Sequence, residues 1–175
     1  MTLPAAWMMQ AQSDFRTAQF IDNPHQPTSR CQAISKYQQA VEKSIKGVLD
    51  KMHEARLVAV RSDSKHHVAR YAAVLSGFPA TGHSRDLLKQ LQRLFSNHVV
   101  EQMQLLDSLV PPFPRGGALA QRNHEYPFQD LRGNWHAPTE ETTFTVGEMK
   151  RIRNCAGLLI KRLSETLEAL ELLFP

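Results

Sequence analysis

The stretch TSRCQAISKYQQAVEKSIKGVLDKM, residues 28–52, decides the fold class. Cys31, Ile34, Tyr37, Val41, Ile45, Val48 and Met52 recur at three- and four-residue steps, so a helix gathers them on one face. A strand would need sustained alternation with a period of two, and this stretch has none. Thr28 or Ser29 supplies an N-cap after Pro27, and the pattern extends the helix to about Val60. The opposite face carries Lys36, Glu42, Lys43 and Lys46, which reads as a solvated charged surface.

The same period continues on both sides. Upstream, Trp7, Met8, Ala11, Phe15 and Ala18 predict a helix over 4–21, closed by Asn23-Pro24. Downstream, the polar run Arg61 to Lys65 interrupts the pattern, and His66 to Leu75 reads as a short helix ended by Gly77 and Pro79. After Ser84, the stripe Leu88, Leu91, Phe95, Val99, Met103 and Leu106 predicts one long helix over 85–109, stopped by Pro111-Pro112. Thr145 and Glu148 form a Thr-x-x-Glu capping box. From there Met149, Ile152, Ala156, Leu159, Leu163, Leu167 and Leu170 carry the last helix almost to the end. The expectation is an all-α chain, an up-and-down bundle of four long helices plus a short fifth, in a single domain over 1–175.

Composition agrees with that class and bounds the function. The chain has 175 residues, with 21 Lys and Arg against 17 Asp and Glu, a net charge of +4. So mild an excess permits an anionic ligand without demanding one. No apolar run approaches the roughly 18 residues a membrane span needs, and the opening residues lack a basic leader. The expectations are no membrane partner and a cytoplasmic location. Cys31 and Cys155 both sit in apolar helical stripes, as reduced core thiols do. No metal-ligand spacing, P-loop, dinucleotide fingerprint or nucleophile elbow is present, so neither a metal nor a cofactor is expected.

Residues 110–144 lack periodicity, and a loop longer than about 15 residues inside a compact domain usually has work to do. Arg115, Arg122, Asn123, His124, Tyr126, Arg132, Asn134, Trp135 and His136 are interleaved there with Pro and Gly. The loop is expected to pack over the bundle beside the first turn of the last helix, bringing Arg122 and Tyr126 near Arg153.

Two stretches resemble the HEPN family, the small helical domains named for higher eukaryotes and prokaryotes nucleotide-binding. Residues 37–49, YQQAVEKSIKGVL, look like its Gln-Ala-x-Glu-Lys-x-x-Lys helix, and residues 122–127, RNHEYP, are similar to its Arg-x-x-Tyr-Pro loop before the last helix. Asp14 and Ala18 fit an Asp-x-x-x-Ala in the first helix, and His66 or His67 fits a histidine at the bridging helix. The resemblance implies a homodimer that binds a nucleotide or RNA, or docks on a nucleotidyltransferase-like partner. The apolar Leu105, Leu109 and Leu172 are candidates for the dimer face. The ligand-binding candidates are Arg122, Asn123, His124 and Tyr126, which offer a forked donor and a stacking face, together with Arg153. Arg151 and Arg153 oppose the positive end of the last helix and so suit an anion.

The alternative the family implies is a metal-independent endoribonuclease of toxin or defence type, with an antitoxin as partner. That branch carries Arg-x(4–6)-His, in which histidine moves the proton and arginine steadies the phosphate. Arg61 with His66 or His67, and Arg93 with His98, match that spacing, where chance alone gives about two matches. Arg93 and His98, five positions apart on one helix, would diverge by about 140°. This leaves Arg61, His66 and His67 as the alternative catalytic set. Arg153-Asn154 is followed at 158–160 by Leu-Leu-Ile where the motif has its histidine, which speaks against a ribonuclease.

Overall fold

The computed structural model describes residues 1–23, 25–26, 29–63, 68–80, 82, 84–108, 124, 127–130, 132–140 and 143–175. Among them are six helices: α1 (Leu3–Ile21), α2 (Arg30–Glu54), α3 (Val68–Gly77), α4 (Ser84–Leu94), α5 (Asn97–Ser108) and α6 (Val146–Leu173). One antiparallel hairpin joins β1 (Phe128–Gln129) to β2 (Trp135–His136), with Phe128 opposite His136 and Gln129 opposite Trp135. A single buried apolar cluster draws on all six helices, so the all-helical bundle stands. No helix among the described residues is long and apolar enough to cross a membrane.

The chain ends its helices largely where local chemistry tells it to. The Thr2 hydroxyl accepts from the Ala5 N–H at 3.4 Å and opens α1, with Pro4 tolerated in the first turn. The capping box at α6 forms in both directions: the Glu148 N–H reaches the Thr145 hydroxyl at 3.2 Å, and the Thr145 N–H reaches the Glu148 carboxylate at 2.9 Å. Cys31 and Cys155 are buried and form no disulfide among the described residues, and burial pushes the Cys155 thiol up to about 11.

Two helix boundaries depart from the periodic reading. The single helix expected over 85–109 is two helices, broken at Phe95 and Ser96. The Val100 N–H bonds the Ser96 carbonyl at 3.0 Å, so a new helix starts from Ser96 as α4 ends. The apolar stripe runs across this break because Phe95 and Val99 are both buried on either side of it. Among the described residues the bundle therefore has three long helices and three short ones. α2 stops at Glu54 rather than near Val60. Arg56 turns left-handed with φ 58°, while the Arg56 N–H bonds His53 O at 3.0 Å and the Leu57 N–H bonds Met52 O at 2.9 Å. This is a Schellman stop with arginine where glycine is usual, which hides it from a search for glycine.

The largest correction concerns the charged side of α2. That face is only partly solvated: α2 packs against α1, α3, α5 and α6, and Glu42 and Lys46 are 4% and 3% exposed while Lys36 and Lys43 are half-buried. Lys46 Nζ lies 2.5 Å from Glu42 Oε1, and the Gln38 amide donates to Glu42 Oε2 at 3.2 Å. The Trp7 ring lies 5.5 Å from the same ammonium, and its indole N–H donates to Asp50 at 3.2 Å. Asp50 also accepts from the Ser62 N–H and hydroxyl at 2.9 and 2.8 Å. Lys36 and Lys43 reach across to buried Asp14 of α1 at 3.3 and 2.5 Å. Close approach of the two backbones makes this seat possible, since a Cβ on Gly47 would stand 2.9 Å from the Pro4 carbonyl oxygen.

The segment 110–144 also differs from a loop without structure. Its described part holds the hairpin, whose turn is organised by Asp130: the carboxylate accepts from the Arg132 and Asn134 N–H groups at 2.8 and 2.9 Å. Gly133 takes the left-handed position with φ 83°. Two residues per strand are too few to display alternation in sequence. Of the expected dimer-face leucines, Leu172 is exposed, Leu105 is half-buried against the core, and Leu109 lies outside the described residues.

Candidate functional site

Arg153 is positioned by α6 and already engaged. Its guanidinium lies 3.3 Å from Asp22 Oδ2, and the hydroxyl of fully buried Tyr37 donates to that same oxygen at 3.0 Å. Burial, then the Asp22 charge, holds the Tyr37 phenol well above its ordinary range. Arg30 Nη1 donates to the Phe144 carbonyl at 2.8 Å, just before the capping box. Together these contacts tie the start of α6 to the α1–α2 corner.

Of the other anticipated residues, only His124 and Arg61 are among the described ones. His124 is buried, while Arg122, Asn123 and Tyr126 lie outside the described residues. Arg61 is exposed in the connection after α2, between Asp50-anchored Ser62 and half-buried Val60, and its paired His66 and His67 lie outside the described residues.

Beside the break between α4 and α5, two adjoining recesses open against α6. Arg93 stands in the last turn of α4 and lines one recess against α6, and His98 stands in the first turn of α5 and lines a second recess that shares Val99 and Leu158 with the first. One part, of about 410 Å³, runs from Gln90 and Arg93 across to Arg162 and Thr166. Val99 and Leu158 border this part and the next, of about 180 Å³, where His98 and Gln102 face Arg151, Asn154 and Cys155. The α6 wall follows from spacing: Arg151, Asn154, Leu158 and Arg162 are three or four positions apart and share one helix face. Arg151 and Arg162 are separated by about 16 Å along the axis.

The groove is electropositive with an apolar middle. Arg162 is bound to Glu165 at 2.9 Å. Arg93 and Arg151 are exposed and have no ion-pair partner among the described residues. Gln102 Oε1 is buried without a hydrogen-bond partner among the described residues, an acceptor that a bound donor would satisfy. A guanidinium matches phosphate oxygens in a forked geometry, an imidazole suits proton transfer near neutrality, and Leu158 offers apolar surface. The raised Cys155 thiol stays protonated at neutral pH and is no nucleophile. Sequence reasoning singles out neither Gln102 nor Arg162; the three- and four-residue spacing on α6 is the signal for Arg162, and nothing local marks Gln102.

Neither the scan of protein-family models nor the search of curated proteins gives a match, and no solved structure matches the chain.

Proposed function

We propose that this chain is a HEPN-like domain that binds RNA through its phosphates along the groove between α4, α5 and α6. The observation that carries the reading is the pair of free guanidinium groups, Arg93 and Arg151, at a groove whose lining acid, Glu165, is already bound to Arg162. Phosphates would bridge the arginines, with a sugar or base resting on Leu158 and Val99 and a donor meeting Gln102 Oε1. Titration of labelled single-stranded RNA at several salt concentrations tests it. Arg93→Ala and Arg151→Ala should each weaken binding and reduce the salt slope by about 0.7 for each phosphate no longer neutralised. Lys89→Ala, an exposed lysine 3.7 Å from Asp86, should change neither. Equal weakening in all three variants, or no binding at low salt, would overturn the reading.

The second reading is a metal-independent endoribonuclease, favoured by one observation: Arg93 and His98 line adjoining recesses that share Val99 and Leu158, although a continuous helix would point them apart. His98 would take the proton from the 2′-hydroxyl, whose oxygen bonds the phosphorus as the bond to the 5′-oxygen breaks, water would protonate that leaving oxygen, and Arg93 would hold the phosphate as charge builds on it. Cleavage in chelator that leaves a cyclic phosphate end, abolished by His98→Ala with RNA binding retained, would select this reading over simple binding.

A further inference from the structure

A larger recess of about 860 Å³ lies away from that groove, between the end of α2, the connection after it and the last turns of α3. Its size is within the range of small-molecule sites, and its walls are mainly apolar, with Leu57, Val58, Val74 and Phe78 among them. Three polar groups interrupt those walls: His53, Glu54 and Arg56.

Two features there have no explanation within the fold. His53 Nδ1 is buried and has no hydrogen-bond partner among the described residues, an arrangement that proteins generally avoid. Arg56 occupies the left-handed stop of α2, where glycine would sit without steric strain. A cation near a helix C-terminus does offset the dipole, but an arginine in the last helical turn would do so with ordinary backbone angles. The Arg56 guanidinium has no ion-pair partner among the described residues, although Glu54 is two positions away. Strained backbone, an unsatisfied ring nitrogen and a free cation thus meet at one apolar recess.

We propose that this recess binds a small organic monoanion with an apolar body, of the aryl or medium-chain carboxylate kind. The carboxylate pairs with the Arg56 guanidinium, His53 Nδ1 completes a hydrogen bond with a ligand polar group, and the body lies against Leu57, Val58 and Phe78. Glu54 at the same recess repels a second negative charge, which sets this site apart from a polyanion groove.

The test uses 2-naphthoate and its neutral analogue 2-naphthamide as probes, with the full chain followed by calorimetry and by the His53 ring signals in NMR. The expected result is at least tenfold tighter binding of naphthoate than of naphthamide, with the His53 signals shifting on titration. Arg56→Gly is the decisive variant because glycine accepts the left-handed angle and keeps the helix stop intact. It should remove the preference for the anion, and His53→Phe should weaken both probes. Equal affinity for the two probes, no binding at millimolar concentration, or an unchanged preference in Arg56→Gly would overturn the proposal.

Discussion

The Glu42–Lys46 pair on α2 and the Asp130–His136–Glu140 cluster on the hairpin use similar side chains in contrasting surroundings. Glu42 and Lys46 are sealed beneath Trp7 and α1, with side chains 6% and 4% exposed. In the hairpin, His136 bridges Glu140 at 3.0 Å and Asp130 at 3.3 Å with water at hand, its ring stacked on Phe128 at 5.6 Å. In the first case each charge depends on its partner because water cannot replace it. In the second, solvent screens the charges, and the geometry serves to hold a short turn in shape. The same ion-pair chemistry therefore secures the core at one place and only local order at the other.

Removing one member of the buried pair is the sharpest way to break that contrast. Glu42→Ala leaves Lys46 enclosed without its carboxylate and should cost about 3–5 kcal/mol in urea denaturation. The double variant Glu42→Leu, Lys46→Met should recover most of this deficit, since replacing both charges removes the uncompensated ion. A cost below about 1 kcal/mol for Glu42→Ala would mean that water reaches the pair.

Next in size is the lid over the pair. Gly47→Ala forces a methyl toward the Pro4 carbonyl and should displace the start of α1, including Trp7, at a cost of about 1–3 kcal/mol. Gly77→Ala, whose added methyl meets nothing within 4 Å, is the matched control and should leave the denaturation midpoint nearly unchanged. Equal effects from the two substitutions would show that close approach is not what seats α1.

At the hairpin, Asp130→Ala should abolish amide-exchange protection of Asn134 and Gly133 while the midpoint for global unfolding stays where it is. A shift of that midpoint comparable with the Gly47→Ala shift would contradict the separation drawn between the two clusters.

The smallest effect is the pH response. Hydrogen bonds to Glu140 and then Asp130 raise the His136 pKa above its ordinary value, while hydrogen bonds lower the carboxyls of Asp130 and Glu140. The histidine contribution is therefore complete below about pH 6.5 and fades as pH rises through the raised folded value. The carboxylate contributions are present above their ordinary range of about 4 and fade as pH falls through the lowered folded values. Hairpin order should peak between those limits, as read from amide exchange and the His136 ring titration in NMR. A His136 midpoint at or below about 6.5 would remove the bridge from the account.

Much of the helical framework was legible because its signals are local. The α1 stripe and the Thr145–Glu148 box act over three or four residues, and the helices they predict begin and end within a residue or two of the observed ones. The break at Phe95–Ser96 was not legible, because buried residues continue the stripe on both sides and no glycine or proline marks it. On a continuous helix Arg93 and His98 would point apart, whereas across the break they border two adjoining recesses against α6. Arg151 could be singled out by its unfavourable place near the positive end of α6, but its groove partners come from helices about 50 positions earlier in the chain.

That the chain is helical, where its apolar stripes lie and how α6 begins follow from the order of residues alone, because hydrophobic period and capping are properties of neighbouring residues. Only the tertiary structure decided that Glu42, Lys46 and Asp14 are buried, that Arg56 stops α2 and that α4, α5 and α6 enclose a groove. A helical pattern identifies the apolar face but is silent about whether a second helix will cover the polar one. Here that cover is α1, seated through Gly47 and Asp14, and the free energy of a charge depends on such a neighbour far more than on its place in the chain.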